Sequence, residues 1–225
     1  MRTFWNWDWA GAEASFRRAV ALDPGSGVIR HRFSHLLAAT GRLDEAIAES
    51  RRALALDPLS PDVNHYLGRL YYFDHDLDRA AEQLRTAVEL DPRNVWAHLF
   101  LGLTYEMQGK HEDALRHAMR SAIFRGASPE VLAKVRQDSS RVGYDAFRRQ
   151  ILDLEAAQTS LPVTSSSLAL GYARLGDKEK ALEWLEKAFE SHTRDLIYMK
   201  VEPSYDPVRG DPRFEEMLGR LRLRD

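Results

Sequence analysis

The chain has 225 residues, of which 44% are hydrophobic and 29% are charged, so it can bury a core and is not disordered by composition. Its net charge of −2 at pH 7 gives no global field toward nucleic acid or anionic membranes, and the absence of cysteine excludes disulfides, thiol catalysis and thiolate metal sites. Because no stretch approaches the roughly 20 apolar residues of a membrane span and no signal-like segment opens the chain, we expect a cytoplasmic protein with no membrane partner.

The first predicted element is an amphipathic helix that ends at an Asp-Pro pair. Three tryptophans, Trp5, Trp7 and Trp9, occupy alternate positions as this segment begins. Alternation of this kind is typical of a strand, but the next residues have helical spacing as far as Pro24. We therefore interpret the tryptophans as a loop that enters a helix. Residues 1–24 then form half of a repeat, of which only the second helix is present.

A regular period organises the chain from this helix onward. The tripeptide Leu-Asp-Pro recurs every 34 residues, ending at Pro24, Pro58 and Pro92. Upstream of each proline stand two alanines seven residues apart, which lie on one helix face and let a neighbouring helix approach closely. These alanines are Ala12 and Ala19, Ala46 and Ala53, and Ala80 and Ala87. A fixed period of this length predicts a stack of helix pairs.

The first helix of each pair carries its own motif. A Leu-Gly pair followed three residues later by tyrosine occurs at residues 67–71 and again at 101–105. Gly41, Gly109 and Gly176 suit helix C-caps between the two helices of a pair. Together with the alanines and the proline, this pattern closely resembles the tetratricopeptide repeat (TPR). The resemblance implies an all-α fold, a right-handed superhelical solenoid of antiparallel helix pairs, and a role in interaction or sensing.

The register divides the chain into units. We predict three TPR units over residues 25–126, a degenerate helix pair over 127–158, a further TPR unit over 159–194 and a C-terminal cap over 195–225. In the cap, Asp-Pro pairs stop one helix and start the last one at Pro212. Four apolar side chains form a single stripe there: Phe214, Met217, Leu218 and Leu221. We interpret this helix, with Tyr205 and Val208, as a cap on the preceding pair, because open solenoid ends need covering.

The aromatic N-terminal end lacks the helix that would normally cover it. Exposed apolar patches of several hundred Å² generally mark an interface. The chain is then either a piece of a longer protein, or its end is covered by another molecule, for which a second copy is one candidate. In a further alternative, Trp5 and Trp9 fold back onto the first complete repeat. We predict an N-terminal interface formed by Trp5, Trp7 and Trp9.

The resemblance extends beyond the repeat type. The segments "LDPLSP", "LGDKEKALEWLEKAFE" and "YMKVEPSYDPVRGDPRFEEML" are similar to the repeat regions of multidomain bacterial regulators. In those proteins the repeats come after an effector domain, often a winged-helix DNA-binding domain, a Ser/Thr kinase or a nucleotide cyclase. This sequence contains no Gly-rich phosphate loop, HRD or DFG motif. The resemblance therefore implies a sensing or interaction module and not the output activity.

The first helices of the pairs are expected to line a concave groove. The predicted partner-binding residues of the groove lie on the helix face turned away from the Leu-Gly-Tyr packing face. They are His31, His35, His65, Arg69, Tyr72, Trp96, Leu99, Leu103 and Glu106. Val28, Ala38 and Asp62 occupy the remaining groove positions of the repeat. Aromatic and arginine side chains dominate binding hot spots. This wall suits an extended or helical peptide with an acidic residue and an apolar anchor. The alternative is a solvated groove without a ligand.

The residues present argue against two more specific sites. TPR domains that hold chaperone C-termini resemble one another in a clamp of Lys and Asn. In this sequence the corresponding positions hold His31, His35, His65 and Arg69. A chaperone C-terminal peptide is therefore not the expected ligand. His31 and His35 have the i, i+4 spacing of a metal pair, but Arg32 stands where a metalloprotease needs glutamate. No third ligand beyond His65 is evident. We expect no metal and no cofactor.

The segment 116–149 holds eight basic and three acidic residues, a net charge of +5. Without interleaved aromatics or a reading helix, we interpret it as a solvated convex face rather than a nucleic-acid surface. No Ser/His/Asp set or carboxylate pair stands out, so no catalytic residue is predicted. The prediction is a non-enzymatic scaffold that binds a partner protein or peptide through the groove, the tryptophan end or both. The alternative is a regulatory module of a larger bacterial signalling protein or transcription regulator.

Overall fold

The computed structural model describes residues 8–126, 133, 144–157 and 164–223. The chain divides into two compact units, Met1–Ala127 and Ser128–Asp225, and each is considered by itself. Within the described ranges the secondary structure consists of α-helices and short 3₁₀ turns, with no strand. The predicted all-α class is therefore confirmed.

In the first unit, short turns join helices that succeed one another in antiparallel pairs. Their bounds are α1 Trp9–Leu22, α2 Gly27–Ala39, α3 Leu43–Leu56, α4 Pro61–Phe73, α5 Leu77–Leu90, α6 Val95–Met107 and α7 His111–Phe124. Helices α2, α4 and α6 begin after N-caps that are one repeat period apart. Ser26, Ser60 and Asn94 each accept a hydrogen bond from the backbone amide three residues further on. The same local device thus starts the first helix of each pair.

Small residues bring the two helices of a pair together. Ala80 and Ala87 of α5 have no exposed surface. A Cβ atom added to Gly68 of α4 would lie 2.6 Å from Leu84 Cγ, and one added to Gly102 of α6 would lie 3.2 Å from a backbone oxygen of α7. The alanine and glycine positions of the period therefore set the distance between paired helices.

The turns inside the pairs end the first helix with a residue in the left-handed region. Gly41 and Gly109 have φ angles of 85° and 71°. His75, one period after Gly41, takes the same position with φ 58°, where a side chain is strained. The repeat geometry therefore imposes this turn even where glycine is missing.

Helix α1 packs on α2, but none of its residues is buried. Phe16 stacks on Phe33 of α2 with ring centroids 5.7 Å apart. Glu13 forms an ion pair with Arg42 at 2.5 Å. Ala12 is half-buried, whereas the equivalent alanines of α3 and α5 have no exposed surface. Among the described residues, no helix covers the face of α1 that its counterparts bury.

The second unit contains another helix pair. Its bounds are α8 Tyr144–Ala157, α9 Ser165–Arg174, α10 Lys178–Glu190, 3₁₀ turns Arg194–Tyr198 and Pro203–Val208, and α11 Pro212–Arg220. Ala181 and Leu185 of α10 have no exposed surface. The hydroxyl of Tyr172 in α9 donates to Asp153 of α8 at 2.8 Å. The earlier part of the predicted degenerate pair, 127–143, lies outside the described residues apart from Ala133.

The C-terminal segment packs on the α9–α10 pair. The side chains of the predicted stripe and its two neighbours are all buried: Phe214, Met217, Leu218, Leu221, Tyr205 and Val208. Arg209, which directly follows the second 3₁₀ turn, holds the connection between the two turns by donating to the carbonyl oxygens of Lys200 at 2.7 Å and Glu202 at 3.1 Å. Two ion pairs, at 2.9 and 2.8 Å, connect α11 to α10. The predicted capping helix is therefore confirmed.

Candidate functional site

Helices α2 and α4 bring the predicted groove histidines around one tyrosine. The ring of His35 stacks on Tyr66 with centroids 3.5 Å apart, and His31 meets the same ring edge-on at 5.3 Å. The Nε2 atoms of His31 and His35 lie 3.3 Å apart, so one donates and the other accepts a hydrogen bond. His65 precedes Tyr66 on α4, with its ring 6.4 Å away. We call His31, His35, His65 and Tyr66 the histidine cluster.

Burial keeps the imidazoles of this cluster neutral. Loss of solvation, reinforced by nearby positive charge, lowers the pKa of His35 to about 2 and the pKa of His65 to about 3. The pKa of His31 is lowered by burial as well, although the Asp62 carboxylate opposes the shift. At neutral pH the cluster is therefore uncharged.

Arg69 adds a permanent positive charge beside the cluster. Its guanidinium carbon lies 4.9 Å from the ring centroid of Phe73 and 4.5 Å from that of Phe100. A cation held against aromatic faces is stabilised by the ring quadrupole. Because Phe100 belongs to α6, this contact also links α4 to the next helix pair.

The accessible apolar part of the wall lies at its two ends. Trp96 at the start of α6 is 52% exposed, and Val28 at the start of α2 is 65% exposed. Leu99 and Glu106 are half-buried on the same helix as Trp96. The exposed tryptophan and the leucine one turn further on can contact a bound chain, while Glu106 lies about 15 Å away at the other end of the helix.

Three positions of the predicted groove register are buried: Ala38, which has no exposed surface, Tyr72 and Leu103. Tyr72 has no exposed surface and packs against Phe100, with ring centroids 5.6 Å apart. Leu103 is 9% exposed. The structure therefore corrects the prediction for Tyr72, because the next helix covers its ring, and it assigns Leu103 to the core.

Two aromatic residues at the wall were missed by sequence reasoning. Tyr66 organises the histidine cluster, and Phe100 supports Arg69. They stand one period apart, each directly after a groove position of the register. An aromatic residue repeated at that position was the signal that could have found them.

The predicted tryptophan interface is described only in part. Trp9 is the first residue of α1 and is half-buried. Trp5 and Trp7 lie outside the described residues. The N-terminal interface therefore stays a prediction.

The predicted basic segment 116–149 is also described only in part. Arg116 pairs with Asp113 at 2.5 Å, and Arg149 pairs with Asp177. Arg120 is exposed on α7. Acidic neighbours therefore compensate part of the charge in the described portion.

Neither a metal group nor a membrane-spanning helix is found in the described part of the chain. Within those ranges, His, Asp and Glu side chains form no group of three or more that could hold a metal ion. No helix there combines the length and the apolar character that crossing a membrane requires.

Three family models described as tetratricopeptide repeat match the chain, over residues 8–70, 65–130 and 162–187. No curated protein matches it significantly in sequence. The solved structure of Pseudomonas aeruginosa pilF is similar, with a TM-score of 0.55 and 21% identity over 86% of this chain and 88% of that chain. This likeness shows the fold alone.

Two further solved structures are less similar in shape. MamA has a TM-score of 0.49 and 18% identity over 84% of this chain and 91% of that chain. YrrB, described as a TPR protein with an unusual peptide-binding site, has a TM-score of 0.46 and 17% identity over 92% of this chain and 90% of that chain.

Proposed function

The chain belongs to the tetratricopeptide repeat family, and from this we propose that it is a non-enzymatic scaffold that binds a partner protein or peptide through the groove of its first unit. The observation that carries the proposal is the wall formed by α2, α4 and α6. There, the 52% exposed Trp96 stands on α6, the helix whose Phe100 ring is contacted by Arg69 of α4. Aromatic and arginine side chains are typical of binding hot spots.

The chemistry of the wall favours one kind of ligand. Trp96 and Val28 offer apolar surface, while Arg69 offers a fixed positive charge. The imidazoles of the histidine cluster are neutral, and those of His31 and His35 bond to each other, so they add no charge to the wall. We therefore propose a segment with an apolar anchor and an acidic residue, bound along the first helices of the pairs.

A comparative pull-down tests this function. The full-length chain, the Trp96→Ser variant and the Ile123→Ser variant are used as baits in a lysate of the source cells. Ile123 is a matched control because it is 48% exposed on α7, a second helix of a pair. A groove partner is captured by the wild type and by Ile123→Ser, but is depleted with Trp96→Ser.

The captured partner then allows a direct measurement of affinity. Truncating a hot-spot aromatic side chain costs about 2 kcal/mol or more, which is roughly a 30-fold rise in Kd. The Arg69→Gln variant should weaken binding of an acidic segment more than binding of its amide counterpart. Equal recovery with Trp96→Ser, Ile123→Ser and the wild type contradicts groove binding.

A regulatory module of a larger signalling protein is the second candidate. The face of α1 that no described helix covers favours it, because its half-buried Ala12 corresponds to fully buried alanines in α3 and α5. We propose that this face docks a helix, either from a second copy or from another domain. Light scattering on the wild type and on Trp9→Ser separates these cases. A wild-type dimer that dissociates in the variant supports docking of a second copy. A wild type that stays monomeric at all concentrations supports docking of another domain.

A further inference from the structure

A polar pair recurs at the same two positions of three successive helix pairs in the first unit. The pairs are Arg30 with Glu49, Asn64 with Gln83, and His98 with His117. Each partner is one full period away from its counterpart in the next repeat. The first two pairs are an ion pair at 2.8 Å and an amide–amide hydrogen bond. The third consists of two imidazoles.

The first member of each pair also holds the turn before its helix. Each of these side chains reaches a backbone carbonyl six residues earlier, at distances from 2.9 to 3.1 Å: Pro24, Pro58 and Pro92. These are the prolines of the Leu-Asp-Pro period. One side chain therefore joins its own helix, the second helix of the pair and the turn that arrives from the preceding repeat.

In the third pair, these contacts determine the tautomers. His98 Nε2 lies 3.1 Å from the Pro92 carbonyl oxygen, which only accepts, so Nε2 carries a hydrogen and donates. In neutral His98, Nδ1 is then an acceptor. His117 Nδ1 lies 2.9 Å from it and must carry the donated hydrogen. His117 Nε2 is left with a free lone pair.

This arrangement accommodates one additional proton but not two. A proton on His117 Nε2 leaves the Nδ1–H donor of that ring in place. A proton on His98 Nδ1 removes the acceptor and sets two N–H groups against each other across 2.9 Å. The pair therefore joins α6 to α7 only while His98 stays neutral.

The surroundings oppose protonation at both sites. His98 has no exposed surface, and burial lowers its pKa, although the hydrogen bond to the Pro92 carbonyl and the Asp91 carboxylate oppose this shift. Burial, and after it the unfavourable interaction of a charged imidazole with His98, Arg116 and Arg120, lowers the pKa of His117 to about 4. The charged and titratable groups that face the pair are Arg116, Arg120 and Asp113 of α7, Asp91 of the preceding turn, and Tyr105 of α6. The two arginines outweigh the single carboxylate of α7.

We propose that the His98–His117 pair is a proton-sensitive joint between α6 and α7. Its hydrogen bond holds the two helices together at neutral pH, and protonation in acid breaks this bond and weakens their packing. The equivalent positions of the α4–α5 pair hold Asn64 and Gln83, which do not titrate. Helix α6 carries Trp96 and Leu99 on its groove side, so the joint links the apolar end of the wall to pH. This link to the groove rests on the proposed function, while the joint itself does not.

NMR of the full-length wild type tests the joint directly. Ring ¹⁵N shifts should identify His98 as the Nε2–H tautomer and His117 as the Nδ1–H tautomer. Both should remain neutral well below the usual pKa of about 6.5. Two histidines that titrate near 6.5, or a reversed pair of tautomers, would overturn the proposal without any variant.

Hydrogen exchange at pH 7 and pH 5, corrected for intrinsic rates, measures the loosening. The double variant His98→Asn with His117→Gln transplants the α4–α5 pair into the third position. In the wild type, a histidine that opening exposes regains a pKa near 6.5 and so takes up a proton at pH 5 more readily in the open state than in the closed state. For each such histidine, the opening equilibrium of α6–α7 should be about 20-fold larger at pH 5 than at pH 7. The double variant should lose this increase, whereas α4–α5 should respond alike in both proteins.

Two results decide against the joint in this experiment. The first is an acid response of α6–α7 that is the same in the variant and in the wild type. The second is the absence of any α6–α7 response in the wild type. If the double variant does not fold, His117→Gln alone replaces it, because a glutamine amide can still donate to His98 Nδ1. Failure of groove binding with a positive result here would refute only the proposed function.

Discussion

Replacing Gly68 with alanine tests the close approach of α4 and α5. The new Cβ would lie 2.6 Å from Leu84 Cγ and 3.1 Å from both Leu84 Cδ2 and Leu84 N. Leu84 has no exposed surface, so its side chain cannot turn into solvent. Carbon atoms prefer separations of about 3.5 Å or more, so the helices must move apart by roughly 1 Å or Leu84 must leave its rotamer.

Two opposing free-energy changes determine the outcome of this substitution. Overpacking of a dense core typically costs about 1–3 kcal/mol. Alanine in place of glycine inside a helix contributes about 0.5–1 kcal/mol of stability. We therefore expect Gly68→Ala to lower the free energy of unfolding by about 1–2 kcal/mol, although alanine is the better helix former.

Chemical denaturation of the full chain, followed by circular dichroism, measures this change. The matched control is the same substitution in the Leu84→Ala background, where the obstructing Cγ is absent. Leu84→Ala alone should cost about 2–5 kcal/mol. In that background only the contact with the backbone nitrogen at 3.1 Å remains, so Gly68→Ala should be close to neutral or stabilising by up to about 1 kcal/mol. Equal costs in both backgrounds, or stabilisation of the wild type, would refute the steric explanation.

Three other predictions concern protonation and polar contacts. Burial lowers the pKa of His65 to about 3, so the contribution of the neutral side chain to the free energy of unfolding is complete above its unfolded pKa of about 6.5 and is lost as the pH falls toward 3. From pH 7 to pH 5 the free energy of unfolding of the wild type should therefore fall by about 2 kcal/mol more than that of His65→Gln in denaturation experiments. Equal falls in the two proteins contradict this prediction. Arg209→Lys replaces the two guanidinium nitrogens that donate to the Lys200 and Glu202 carbonyls with a single nitrogen and should cost about 1–2 kcal/mol, so an unchanged thermal midpoint would exclude this role. The pKa of Asp153 is lowered first by Lys180 and then by the Tyr172 hydroxyl, so Tyr172→Phe should raise it in an NMR titration, and an unaltered pKa would show that the hydrogen bond is not formed.

The repeated helix pair could be predicted from the sequence because its signals are local and recur. Ser26, Ser60 and Asn94 cap helices from within three residues of each start. Gly68 and the alanines of α5 act between helices that are adjacent in the chain. A fixed period presents each signal several times, so the register is well determined even where one position departs from the pattern.

The accessible surface of the groove could be predicted only in outline. The register identifies the helix face, but the exposure of a side chain on that face depends on the size of its neighbours. Tyr72 is fully covered because Phe100 packs against it, while Trp96 at the end of its helix remains 52% exposed. Both residues look alike in the sequence, as large aromatic groups at groove positions.

Local patterns in the chain thus specify which residues form helices, where the helices begin and which positions must be small. They place polar side chains at equivalent positions of each pair, but they do not specify the contacts that these side chains make across two helices. His98 reaches His117 across 19 residues of sequence, and His35 stacks on Tyr66 from a different helix pair. The lowered pKa values of these histidines arise from the same packing, because every surrounding helix removes water from the imidazole and so adds to its desolvation. This desolvation exists only once the repeats are packed together.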